Sequence, residues 1–131
     1  MDTTSDPLTR LRNGILVSCA EDFAERQPTV VDEWLTYRAN HPIDPAGYQA
    51  QMGVGLALMS EEACFEHKLS AVTAPTLILS GAEDKVVPPA NVDLLAGEIP
   101  HAATAIIEQA GHFFPLEQPE TAVNIVTKFL R

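Results

Sequence analysis

Basic residues are scarce in this chain. Eight Lys and Arg, scattered singly, stand against eighteen Asp and Glu, for a formal net charge of −10. A field of that sign repels phosphate backbones and anionic headgroups, which excludes nucleic acid and membrane surfaces as partners held by general charge. Cysteine is scarcer still. Cys19 and Cys64 lie far apart, without the short Cys or His spacing of a metal ligand set. No metal is expected, and both read as small buried hydrophobes in a reducing compartment, a disulfide between them being the alternative. Long apolar runs are missing too: the longest, Gly53 to Met59, is far too short to cross a bilayer. The opening Met1-Asp2-Thr3-Thr4-Ser5-Asp6 is polar and acidic, the reverse of a signal peptide, so the cytoplasm is the expected location. Finally, no Gly-x-Ser-x-Gly occurs, so the strained elbow that exposes a nucleophilic serine has no counterpart here.

What is present is ordinary globular material, 46% hydrophobic and 20% charged over 131 residues, enough for one domain or a piece of a larger one. The rhythm changes near Lys68. Before it the periodicity is helical. Asp6-Pro7 is a helix start, Asp as N-cap and Pro at the first position, and Leu8, Leu11, Ile15 and Cys19 recur at helical spacing; Ile15-Leu16-Val17 as a short strand is the competing reading. Pro28-Thr29 opens a second helix with Val30, Val31, Trp34, Leu35 and Arg38 on one face. Asp44-Pro45 opens a third with a Tyr48, Met52, Leu56, Met59 stripe. Gly53 and Gly55 within it permit close packing or weaken the helix.

After Lys68 the pattern is β-α-β-α. Thr76 to Ser80 is a continuous apolar run bounded by Pro75 and Gly81, as expected of a parallel strand covered on both faces. A helix follows Pro88-Pro89, with Val92, Leu95, Ala96 and Ile99 buried. Ala103 to Glu108 is the second strand. Pro119 starts a last helix with Ala122, Val123, Val126, Phe129 and Leu130 inward. Two strands make a marginal sheet with two open edges, so these strands call for a wider one.

Each strand is followed by a loop bearing one ionisable group, Asp84 in Ser80-Gly81-Ala82-Glu83-Asp84 and His112 in Gln109-Ala110-Gly111-His112. The carboxyl edge of an open α/β sheet is where reacting groups gather, and an acid followed by a histidine is two thirds of a charge-relay triad. An imidazole suits a general base that later returns its proton, and Gly111 lets its loop turn sharply. The plainer readings are an Asp in a turn and a loop His bonded to backbone. Glu83 competes with Asp84. His41, His67 and His101 read as solvated surface groups, and Ser5, Ser18, Ser60, Ser70 and Ser80 lack glycine flanks.

The stretches Ala74 to Asp84, Val87-Pro88-Pro89, Ala110-Gly111-His112 and Leu116-Glu117-Gln118-Pro119-Glu120 together resemble the C-terminal portion of the α/β-hydrolase family. That resemblance implies an α/β fold class: an incomplete α/β-hydrolase fold, with a helical cap-like segment over residues 1–68 and a C-terminal part of the core with parallel strands over 69–131. It implies that Asp84 is the triad acid, in preference to Glu83, and His112 the triad histidine. The reaction implied is cofactor-free hydrolysis of a small ester-like molecule; Phe113, Phe114, Trp34, Tyr48 and Met52 read as core, or as the lining of an apolar pocket once the missing half is present. A full member builds most of its sheet, the oxyanion loop and the nucleophile elbow upstream of these elements. None of that is in this sequence, so the implied object is a C-terminal fragment, inactive alone, whose partners are a complementing N-terminal half or a second copy. The rivals are a non-catalytic module that folds by association and a truncated, partly unfolded product.

Overall fold

The computed structural model describes residues 6–59 and 65–131; Ser5, Ser60 and Cys64 lie outside them. Proline opens four of the helices, its fixed φ and missing N–H costing nothing at a first turn. Helix α1 (Pro7–Val17) is capped by Asp6, whose carboxylate accepts the N–H groups of Leu8 at 3.0 Å and Thr9 at 3.2 Å. The single turn α2 (Phe23–Arg26) leads into α3 (Pro28–Asn40), and α4 (Pro45–Ala57) is capped by Asp44, which accepts the Gly47 N–H at 2.8 Å. Ile15-Leu16-Val17 is therefore helical, as the Asp6-Pro7 start favours. Packing of α1 on α3 closes a core of Ile15, Cys19, Ala20, Phe23, Val31 and Leu35, with Trp34 stacked on Phe23 at a centroid distance of 5.5 Å.

A short 3₁₀ turn (Glu66–Ala71) precedes the second half. Strand β1 (Leu77–Gly81) runs parallel to β2 (Ala103–Ile107), with Leu77 opposite Ala103 and Gly81 opposite Ile107; α5 (Ala90–Glu98) makes the crossover. Then come α6 (Phe114–Glu117) and α7 (Pro119–Phe129). Ile107, Ala110 and Ala122 form a second core, with Leu79, Phe114 and Ile125 against it.

Four expectations are corrected. Strand β1, expected to be covered on both faces, leaves Leu77, Ile78 and Leu79 only partly buried, and β2 leaves Ile106 exposed. No residue of α4 is buried, so its Tyr48, Met52, Leu56 and Met59 stripe faces outward, and an added Cβ at Gly53 or Gly55 meets nothing within 4 Å. In α7 the inward positions are Ala122, Ile125 and Phe129, while Val123, Val126 and Leu130 are exposed. In α5 Leu95 is exposed, leaving Val92 and Ile99 as its buried contacts. The cause is shared. Periodicity marks which face is apolar, but burial needs a second surface, and a two-stranded sheet supplies little. Among the described residues no helix is long and apolar enough to cross a membrane.

Candidate functional site

The acid loop is stitched onto the loop that follows β2. Ala82 N–H donates to the Ile107 carbonyl and Glu83 N–H to that of Ala110, both at 2.9 Å. Gly81 makes this approach feasible, because a Cβ there would overlap the backbone carbonyls of Gly111 and Ala110. Beyond this seam the Asp84 carboxylate divides its acceptors. Oδ1 takes the N–H groups of Val86 at 2.9 Å and Val87 at 2.7 Å, and Oδ2 faces Nδ1 of His112 at 2.9 Å. An ionised carboxylate only accepts, so Nδ1 carries the proton and donates, which leaves the lone pair on Nε2. The Asp84 side chain is 4% exposed and that of His112 39%. Burial pushes the Asp84 carboxyl up, but hydrogen bonds from Val87, the His112 ring and Val86 outweigh it and hold the group below its ordinary value. A cleft of about 180 Å³ borders the pair, lined by Ser80, Asp84, Val87, Asn91, His112 and Phe114 among others.

The His112 loop is held by the two phenylalanines after it. Phe113 joins the helical core, edge-on to Trp34 at 6.1 Å, while Phe114 packs into the sheet-side core. The turn itself differs from the expectation. No glycine has positive φ; the left-handed residue is Gln109, at φ 54°, whose carbonyl accepts from the Arg26 guanidinium at 3.2 Å. Gly111 serves close approach instead, since a Cβ on it would lie 2.8 Å from the Ala20 nitrogen and the Ser18 carbonyl oxygen.

The competitors fall elsewhere. Glu83 Oε2 accepts the Glu21 N–H at 2.9 Å and does not reach the imidazole's partner position. His41 Nδ1 contacts the Tyr37 carbonyl at 2.8 Å and its ring stacks on Tyr37. Burial, aided by the Glu117 charge, pushes the Cys19 thiol up to about 12, which removes the thiolate a nucleophile needs. Ser80 is buried, its hydroxyl donating to the Gly81 carbonyl at 3.2 Å. Trp34 and Phe113 border an apolar pocket of about 250 Å³ with Ile15, Tyr37, Arg38 and Leu116; Tyr48 shares with Phe113, Ile15 and Arg38 an adjoining cleft of about 520 Å³, and Met52 lines neither. No group of three or more potential metal donors forms among the described residues.

Sequence reasoning gave no role to Glu117. It is buried, with Oε1 accepting the Gly111 N–H at 2.9 Å and Oε2 the Ala20 N–H at 2.8 Å. The available signal was an isolated acid ending an otherwise apolar Phe113-Phe114-Pro115-Leu116 run, a place where a carboxylate must find donors.

A parallel β-α-β unit with an acid and an imidazole meeting beyond its carboxyl edge defines the class of architecture. The family model described as alpha/beta hydrolase fold matches residues 8–119, and the chain belongs to that family. It is 38% identical over 85 residues to a poly(3-hydroxyalkanoate) depolymerase of Ectopseudomonas oleovorans, covering 65% of this chain and 28% of that protein. It is 30% identical over 77 residues to a monoacylglycerol lipase of Xenopus laevis, covering 57% and 23%. Among solved structures, a thermophilic esterase from Thermogutta terrifontis superposes with a TM-score of 0.72 at 28% identity, covering 95% of this chain and 47% of that one. The chain thus spans between 23% and 47% of the length of these relatives, and it presents an incomplete α/β-hydrolase fold.

Proposed function

We propose that this chain carries the acid and the base of a Ser-His-Asp triad for ester hydrolysis, the serine being supplied by sequence outside these 131 residues. The observation that supports this reading is the 2.9 Å contact between His112 Nδ1 and Asp84 Oδ2, with the other carboxylate oxygen occupied by two backbone amides. Asp84 selects the Nδ1–H tautomer and stabilises the imidazolium; Nε2 then takes the serine proton and returns it to the leaving alcohol. The relatives' names, a polyester depolymerase, a monoacylglycerol lipase and an esterase, favour a carboxylic ester as the bond cleaved. Residues 1–68 are read as the cap-like segment and 69–131 as the C-terminal part of the core. The helices of the first part have a hydrophobic cluster of their own, in keeping with that division, and the turn at Ser18–Glu21 ties them to the Glu83, Gly111 and Glu117 loops.

The test is hydrolysis of an activated ester such as p-nitrophenyl butyrate. The chain alone is expected at background; joined to an α/β-hydrolase N-terminal half bearing Gly-x-Ser-x-Gly, it gains turnover that His112→Ala abolishes. Turnover by the chain alone that His112→Ala removes would refute the external nucleophile. A second reading, a module that folds by pairing with a partner or itself, is favoured by the open sheet edges and the exposed Ile106, Val123 and Leu130. A discrete dimer on size exclusion supports it, and a well-folded monomer refutes it.

A further inference from the structure

We propose that Glu117 is a positioning residue that holds the His112 peptide in register with the turn at Ser18–Ala20. Its catalytic consequence rests on the reading of His112 as the base; its geometry does not. His112 is bracketed by two anchored amides. On one side, Gly111 N–H donates to Glu117 Oε1 at 2.9 Å. On the other, Phe113 N–H donates to the Ser18 carbonyl at 3.0 Å. Glu117 Oε2 accepts the Ala20 N–H at 2.8 Å, so both flanking amides are referred to the same turn, one directly and one through the carboxylate. Gly111 lies flush against that turn, with room for no side chain.

The chemistry selects a carboxylate. Two N–H groups converge from opposite sides, and of the side chains of this length only an ionised Glu accepts at both ends; a Gln accepts at one and turns a donor toward the other N–H. Burial raises the Glu117 acid, against the pull of the two amides and the Arg26 charge. Keeping an acid in so dry a place is the cost of an acceptor pair that apolar packing cannot supply. The proline after Gln118 starts α7, so α6 cannot lengthen, and Glu117 stays at the end of a single turn that begins two residues after His112.

The experiment is ring-nitrogen NMR on the full ¹⁵N-labelled chain at about pH 9, where imidazoles are neutral, for wild type, Glu117→Gln and Val31→Ala. Val31 is fully buried in the helical core, so Val31→Ala serves as a destabilised control. Wild type is expected to show His112 as the Nδ1–H tautomer. In Glu117→Gln the ratio of Nδ1–H to Nε2–H falls by about tenfold, the scale of one charge-assisted hydrogen bond lost. In Val31→Ala the ratio stays within about twofold of wild type, a difference worth less than one ordinary hydrogen bond. An unchanged ratio in Glu117→Gln, or an equal fall in Val31→Ala, overturns the proposal. So does outright unfolding of Glu117→Gln, which would make the residue a keystone of the fold instead of a guide for one loop. These spectra need no nucleophile, so failure of the triad reading in the ester assay is a separate result.

Discussion

Replacing Asp84 by Asn separates the two tasks of that side chain, and the structure gives the size of each. The Asn carbonyl oxygen can keep both backbone bonds that Oδ1 now accepts, from Val86 and Val87. What changes is the atom facing His112. An amide NH₂ replaces Oδ2, and since it only donates, Nδ1 must become an acceptor. The ring proton therefore moves to Nε2, the atom that the proposed triad would use to take a proton from a nucleophile. A charge-assisted bond worth about 1.5–3 kcal/mol gives way to a neutral one worth about 1. With the ring 39% exposed, the net loss is about 1 kcal/mol, or roughly 3–4 °C in the melting midpoint of a chain this size. Asp84→Ala also orphans the two amides and loses about 2 kcal/mol more. The assays are thermal denaturation and ¹⁵N NMR of the ring. Expected are the Nε2–H tautomer in Asp84→Asn and the stability order wild type, Asn, Ala. In a complemented enzyme Asp84→Asn lowers kcat by about 10⁴-fold, as loss of the correct tautomer does in triads generally. A ring that keeps its proton on Nδ1 in Asp84→Asn, or equal stabilities for the Asn and Ala variants, would refute the assigned geometry.

Two glycines should respond to alanine with opposite sign. Gly14→Ala, inside α1 with nothing within 4 Å of the new Cβ, gains about 0.5–1 kcal/mol from helix propensity. Gly81→Ala forces a Cβ onto the Gly111 and Ala110 carbonyls, costs about 1–3 kcal/mol as overpacking against backbone, and weakens the His112 Nδ1–H signal; thermal midpoints of equal sign in the two variants would contradict this. Two carboxyl groups also bend the pH profile in opposite directions. Asp84 titrates below its unfolded value, so the folded state releases its proton first, and that stabilisation is present above about pH 4 and lost as pH falls below it. Glu117 titrates above its unfolded value, so the folded state holds its proton longer, and its contribution declines as pH rises from about 4.3 through the raised folded value. Urea unfolding of wild type and Glu117→Gln across that range measures the second effect alone, and a difference curve that rises with pH would contradict it.

The local signals translated well because they are local. Asp6-Pro7, Pro28, Asp44-Pro45 and Pro119 start helices where they stand, since an N-cap oxygen and a fixed φ act within one turn. The apolar runs at residues 76–80 and 103–108 became β1 and β2. The outward Tyr48, Met52, Leu56, Met59 stripe and the exposed Val123 and Leu130 were not legible, because an amphipathic pattern names a face without saying what meets it.

By itself, the order of residues determined the β-α-β frame and the two loops that carry Asp84 and His112, since helix starts, strand runs and turn residues act over a few positions. The family resemblance already preferred Asp84 to Glu83; only the tertiary structure decided that its Oδ2 meets Nδ1 of the imidazole while Glu83 turns to the Glu21 amide. The same holds for Gly81 and Gly111 as points of backbone contact and for Glu117 as the bridge to Ala20. Those outcomes depend on which backbone amides and carbonyls converge across long stretches of chain, and a buried carboxylate takes its partners from that convergence.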